Sequence, residues 1–109
     1  MINIKEFSKI DLRVGTILKA EISEKAKIPA YYLEIDFGDF GIKHSSAQIT
    51  DLYTPQDLIG RQIVAIINLP LKKIAGKISE VLVLGANSNN NEVVLLSPQN
   101  KIPNGAKIS

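Results

Sequence analysis

The chain has 109 residues, no cysteine, one histidine and a formal net charge of +2, with 45% hydrophobic and 22% charged residues. This length fits one domain, spanning residues 1–109, with a core of its own. The lack of thiols excludes disulfides and thiolate metal sites, and a lone His44 excludes a histidine-rich one, so no metal or cofactor is expected.

The N-terminal run Met1-Ile2-Asn3-Ile4-Lys5-Glu6 carries charges where a signal peptide needs an apolar stretch. No segment approaches the roughly 20 apolar residues of a membrane helix. The expectation is a soluble, cytoplasmic protein without membrane insertion. Asn3 is placed to cap a short helix through Phe7, with Glu6 completing a capping box. Ile4 and Phe7 then share an apolar edge, which must dock on the chain's own barrel or on a second subunit.

Leu12–Ile22 alternates apolar and polar in two halves, and Gly15 and the Ile17-Leu18 doublet disturb the period. That pattern predicts a long strand with a bend or bulge. Ser23–Pro29 is a polar loop. Tyr31–Phe37 is a second strand, Gly38-Asp39 a turn, and Phe40–Ser46 a third strand. In Ala47–Ile59, Ile49, Leu52 and Tyr53 lie at helical spacing, and Thr54-Pro55 offers a cap followed by proline at the first helical position. One or two short helices are expected there, closed by Gly60. Gln62–Asn68 and Val81–Leu84 are the fourth and fifth strands. Asn87–Asn91 reads as a polar, disordered hairpin tip before a returning strand, Glu92–Ser97, and a turn-rich tail. The order predicts an all-β fold: a five-stranded barrel with a short helix between strands three and four, a short N-terminal helix and C-terminal extension strands. The oligonucleotide/oligosaccharide-binding (OB) fold has this order, and periodicity alone leaves an SH3-like barrel open.

Charge is focused within this frame. No Asp or Glu occurs from Leu58 to Ser79, whereas Arg61, Lys72, Lys73 and Lys77 do, a local +4 from four cations and no anion. Asn68, Pro70 and Gly76 interrupt the same stretch, so a basic, conformationally special connection joins two apolar strands. Such a connection suits an anionic ligand. Lys72, Lys73 and Lys77 are candidate phosphate contacts, or lysines of a solvated loop. Asn68 is a candidate for base contact or for holding the strand end. Tyr31 and Tyr32 lie on opposite strand faces: one belongs to the core, and the other is free to stack on a base, worth ~1–3 kcal/mol, or to line an apolar peptide groove. His44 is a candidate for the same uses. A catalytic pairing of His44 with Ser45 is disfavoured, because neighbours along a strand point to opposite faces.

Asp11-Leu12-Arg13-Val14-Gly15-Thr16-Ile17 resembles the opening of the tRNA-binding domain family. Asn68–Gly76 resembles that family's Asn-Leu-x-Pro-x-Lys-x-x-Gly segment, with the proline one position early, and Ser79–Leu84 resembles the strand that follows. Ile35–Gly38, Gly41–Thr50, Ile74–Gly76 with Ser79–Gly85, and Pro103-Asn104-Gly105 are similar to the CsaA-like, export-related chaperone subgroup. The resemblance implies a non-catalytic OB-fold homodimer joined through terminal segments, here Ile4, Phe7, Ile102 and Ile108, with tRNA bound across both copies. It implies RNA contacts from Lys43, Ser45, Asn68, Lys72, Lys73, Lys77 and Ser79. Its alternative implication is an export chaperone that binds unfolded preproteins or export machinery. The family's domain is also appended to some aminoacyl-tRNA synthetases, for whose catalytic domain 109 residues leave no room.

Overall fold

A computed structural model describes all of residues 1–109. Helix α1 (Ile4–Phe7) opens the chain with the expected capping box: Glu6 N donates to Asn3 Oδ1 at 2.9 Å, and Asn3 N donates to Glu6 Oε1 at 3.3 Å. Strands β1 (Leu12–Ile22), β2 (Tyr31–Asp36) and β3 (Ile42–Ala47) form an antiparallel meander, with a 3-10 turn at Gly38–Phe40 between the last two. Helix α2 (Pro55–Leu58) follows, and β4 (Gln62–Ile66) returns to pair with the first half of β1. A hairpin, β5 (Lys72–Ile74) and β6 (Lys77–Ser79), then precedes the two-residue β7 (Leu82–Val83), which pairs with β4. A second hairpin, β8 (Gly85–Asn87) and β9 (Val93–Leu95), leads into the tail.

The sheet order β3-β2-β1-β4-β7 is that of a five-stranded antiparallel barrel. β1 serves both sides of it: Leu12–Thr16 pair with β4, Thr16–Ile22 pair with β2, and the register slips between Ile17 and Lys19. The bulge therefore sits at the Ile17-Leu18 doublet and not at Gly15. Gly15 has a different task, because a Cβ there would lie 2.7 Å from both Ile35 Cγ2 and Phe37 Cε1. The barrel is nearly closed between β3 and the end of β6 by Ser46 N donating to Ser79 Oγ at 3.1 Å, Glu80 N to the His44 carbonyl at 2.8 Å, and His44 N to Glu80 Oε2 at 2.8 Å. The result is the OB fold.

The core holds Ile17, Leu33, Ile35, Phe37, Leu58 and Ile63, all fully buried. A second apolar cluster covers the other face of β1 and β4, where Phe7, Ile102 and Ile108 pack on Leu12, Val14 and Val64. The tail is fixed there by Ile102 N donating to Gln62 Oε1 at 3.1 Å and Thr16 Oγ1 donating to Asn104 Oδ1 at 2.6 Å. Of the four residues expected to join two subunits, Phe7, Ile102 and Ile108 thus dock on their own barrel, and Ile4 remains 82% exposed.

Three local expectations differ from the structure. Ile49, Leu52 and Tyr53 do not form a helix; Ile49 reaches the core from an irregular segment, and only α2 forms. The stretch between Asn68 and Val81 contains a hairpin that Pro70 and Gly76 conceal in the sequence. The Asn-rich tip is ordered by Ser88, whose Oγ accepts from Asn90 N and Glu92 N at 3.3 and 3.2 Å.

Helix α2 carries a pH-dependent feature. Thr54 N donates to Asp57 Oδ2 at 3.1 Å and Asp57 N to Thr54 Oγ1 at 3.2 Å; the first of these bonds, then the Thr54 hydroxyl beside the carboxylate, with Arg61 contributing least, lower the Asp57 pKa. A carboxylate depressed on folding stabilises above its ordinary pKa, and that stabilisation is lost as pH falls through the folded value. Asp57→Asn should therefore lower the melting temperature at neutral pH. The gap to the parent should close in acid, as read from thermal melts across the carboxylate range.

Candidate nucleic-acid interface

The β5–β6 hairpin turns through Ala75 and Gly76, both with positive φ (51° and 82°), the geometry of a two-residue turn whose twist matches the strands. Its register pairs Lys72 with Ser79, Lys73 with Ile78 and Ile74 with Lys77. Directly opposed residues share a face, so Lys72, Ile74, Lys77 and Ser79 lie on one side and Lys73 and Ile78 on the other. Tyr32 holds the hairpin to the barrel, its hydroxyl donating to the Ile78 carbonyl at 2.8 Å.

The β1–β2 loop meets the hairpin tip: Lys25 Cδ lies 3.9 Å from where a Gly76 Cβ would stand. Lys25 and Lys27 line a concave site with Ile74 and Ala75 of the tip. Lys72 lines a neighbouring groove with Leu69, Pro70, Ile74 and Leu82. The chain's ion pairs involve Arg13, Lys19, His44 and Lys77, so Lys25, Lys27, Lys72 and Lys73 stand exposed with no carboxylate partner. Lys25 and Lys27 escaped the sequence reading because they lie far from the basic window; the only signal was a Lys-Ala-Lys within a polar loop.

The outer face of β1–β3 has the opposite character. Tyr32 and His44 stack there with centroids 5.5 Å apart and planes within 8°, and Lys77 Nζ stands 4.7 Å from the Tyr32 ring centroid. His44 Nε2 is 3.7 Å from Glu34 and its Nδ1 is 3.5 Å from Glu80; Lys19 reaches Glu34 at 3.8 Å, and Lys77 reaches Glu21 at 3.6 Å. Burial, and then the charges of Glu80 and Glu21, raise the Tyr32 pKa, so its hydroxyl remains a donor. Three carboxylates, Glu21, Glu34 and Glu80, face two ammonium groups, Lys19 and Lys77, so this surface carries no excess of positive charge at neutral His44. The Tyr32 ring is also covered by residues of the chain itself.

Other candidates fall inside the architecture. Ser45 is 1% exposed and its hydroxyl donates to the Ser46 carbonyl, so it is not presented to a ligand. Because it faces the core while His44 faces outward, the two do not share a proton. Tyr31 is buried, its hydroxyl donating to the Tyr53 carbonyl at 2.7 Å. Ser79 is 8% exposed and closes the barrel through Ser46 N. Both ends of the Asn68 amide are occupied: Oδ1 accepts from Asp11 N at 2.9 Å, and Nδ2 donates to the Lys9 carbonyl at 2.8 Å. Asn68 therefore ties β4's end to the N-terminal segment instead of offering itself to a base. Lys43 pairs in register with Ile35, on the same face of β3 as Ser45 and away from His44.

A family profile described as "Putative tRNA binding domain" matches residues 12–107. The chain belongs to the tRNA-binding domain family. The "chaperone CsaA" structure from Bacillus anthracis is similar to it at 55% identity and a TM-score of 0.94, covering 100% of this chain and 99% of that one. A "CsaA chaperone protein" from Picrophilus torridus is similar at 50% identity and a TM-score of 0.93, with 100% of both chains covered. A methionine–tRNA ligase of Methanococcus aeolicus is 41% identical over 108 residues, 99% of this chain and 16% of the ligase. The chain thus spans about one sixth of that curated relative. Four of its unpaired lysines, Lys25, Lys27, Lys72 and Lys73, lie on the β1–β2 loop and the β5–β6 hairpin, which touch at one edge of the barrel.

Proposed function

We propose that the protein is a non-catalytic tRNA-binding module that holds the RNA backbone on a ledge formed by the β1–β2 loop and the β5–β6 hairpin. The observation that carries this reading is the contact of Lys25 with the hairpin tip, which sets Lys25 and Lys27 beside the hairpin that bears Lys72 on one face and Lys73 on the other, all four without an ion-pair partner. Lysines of this kind bind phosphate by counterion release and read no sequence. Lys77 contributes less than the sequence suggested, because Glu21 and the Tyr32 ring engage it.

A net charge of +2 is small for a protein that binds RNA through one patch. We place two copies in the working form, so that two ledges act together. The exposed Ile2 and Ile4 of the N-terminal segment are the residues we assign to that contact, at 66% and 82% exposure. No helix is long and apolar enough to cross a membrane. The module works where tRNA is met, in the cytoplasm.

A second reading has its own observation. The groove beside Lys72 has apolar walls from Leu69, Pro70 and Leu82, with Leu69 and Leu82 roughly half exposed, and suits a side chain of an unfolded preprotein. The similar structures from Bacillus anthracis and Picrophilus torridus are of chaperones, which agrees with it. Fluorescence anisotropy of labelled bulk tRNA, with a reduced unfolded polypeptide as competitor, separates the two. Saturable tRNA binding that weakens steeply with salt supports the first reading. Polypeptide binding that is insensitive to salt, with no tRNA binding at low salt, replaces it by the second.

A further inference from the structure

We infer that Asn104 is a modification site gated by the fold: it deamidates when the C-terminal tail leaves the barrel, and the isoaspartyl product keeps the tail from docking again. Asn104 is the only asparagine of the chain that is followed by glycine. Glycine has no side chain to shield its nitrogen or restrict its backbone, so its amide reaches the preceding carboxamide most readily. The Gly105 nitrogen bonds to Asn104 Cγ, the Cγ–Nδ2 bond breaks, and the proton of the Gly105 N–H passes through solvent to the departing nitrogen, which leaves as ammonia. Water then opens the five-membered succinimide at either carbonyl. One opening gives aspartate. The other gives isoaspartate, whose main chain runs through Cβ and Cγ and gains one methylene.

Both reacting groups are engaged while the tail is docked. Gly105 N donates to the Val14 carbonyl at 2.7 Å, and Asn104 Oδ1 accepts from Thr16 Oγ1 at 2.6 Å and from Gln62 Nε2 at 3.1 Å. The carboxamide is thus held by two donors and the attacking nitrogen is committed elsewhere, so the reaction waits for local opening. A less reactive residue does not fit after Asn104: Gly105 has φ +88°, and a Cβ there would lie 2.6 Å from the Phe37 carbonyl oxygen.

The barrel accepts one product and not the other. Aspartate keeps the acceptor oxygens that Thr16 and Gln62 need, and the Nδ2 it replaces has no partner within the chain. Isoaspartate lengthens the main chain between two fixed points. On one side Gln62 clamps both the N–H and the carbonyl of Ile102, at 3.1 and 2.7 Å. On the other, Val14 N donates to the Ala106 carbonyl at 3.0 Å and Ile108 N to the Leu12 carbonyl at 2.9 Å. No slack lies between them, since even a Cβ at Gly38 would strike the Asn104 carbonyl. One anchorage must therefore release, and Ile102, Ala106 and Ile108 no longer all cover Leu12, Val14 and Val64.

The test incubates the full-length protein, folded or in guanidinium, in mildly alkaline buffer and follows Asn104 by peptide mass mapping. The folded chain should react roughly 10- to 100-fold more slowly. Thr16→Val removes one of the two bonds to Oδ1; it should speed the folded reaction about 2- to 10-fold, the worth of one hydrogen bond, and leave the denatured rate unchanged. The isoaspartyl form, isolated by chromatography, should melt below the parent and lose hydrogen-exchange protection at Gly105 and Ile108. Freshly prepared Asn104→Asp should melt close to the parent. No reaction at Asn104 in guanidinium removes the site, and equal rates in the folded and denatured chain, or no effect of Thr16→Val, overturn the gate. An isoaspartyl form with the parent's melting temperature and protection, or Asn104→Asp melting as low as the isoaspartyl form, overturns the block on docking.

Discussion

Replacing Lys25, Lys27, Lys72 and Lys73 together by alanine is expected to weaken tRNA binding roughly 10²- to 10³-fold at about 0.1 M salt. Each lysine is an exposed ammonium with no partner, so its removal leaves the barrel unchanged and deletes one phosphate contact. The variant's net charge becomes −2, from +2 less four. A control separates the ledge from bulk charge: Lys5, Lys9, Lys101 and Lys107, all in the terminal segments, changed to alanine give the same net charge. That control should lose far less affinity, because screening confines each charge to about a Debye length of roughly 10 Å. Equal losses from both variants would mean that total charge alone governs binding.

The largest effect on stability is expected at the Gly15–Phe37 contact. Phe37 is fully buried, and Phe37→Ala should cost about 3–5 kcal/mol through lost burial and the cavity left behind. Gly15→Ala drives a methyl to 2.7 and 2.8 Å from two ring carbons of Phe37, in a core where Ile35 blocks retreat at 2.7 Å. Overpacking of this kind costs about 1–3 kcal/mol. At roughly 4–8 °C per kcal/mol for a domain of this size, melting temperatures report both. The two sites are coupled, so Gly15→Ala should cost measurably less in a Phe37→Leu background. Additive losses would show that the clash with Ile35, and not the one with the ring, sets the cost.

The barrel was legible because its strands alternate and its turns carry glycine, aspartate or proline at the right places. β1, β2 and α2 follow directly from such local signals, Thr54-Pro55 being the plainest. The hairpin was not legible as strands, since each arm has three residues and its turn uses Ala75 in a left-handed conformation where Asn or Gly is usual. The site was legible in part. Lys72 and Lys73, which belong to the proposed ledge, stand out in the sequence by the missing carboxylates around them. Ser45, Ser79 and Tyr31 looked available because a strand's pattern shows which residues share a face but not that the barrel closes over them. The contacts of Lys77 with Tyr32 and Glu21 were not legible, because the three residues come from separate elements. Asn68 was read as a base contact or as a local tie at the strand end, whereas its amide's partners lie 57 and 59 residues away. Lys25 and Lys27 could be joined to the hairpin only by the fold.

Lysine footprinting tests the location of the RNA most directly: acetylation of the protein with and without saturating tRNA, read residue by residue by mass spectrometry. Lys25, Lys27, Lys72 and Lys73 should be protected, while Lys5, Lys9 and Lys107 react as in the free protein. Protection confined to Lys19 on the sheet face or to the terminal lysines, with the two loops left reactive, would contradict the ledge.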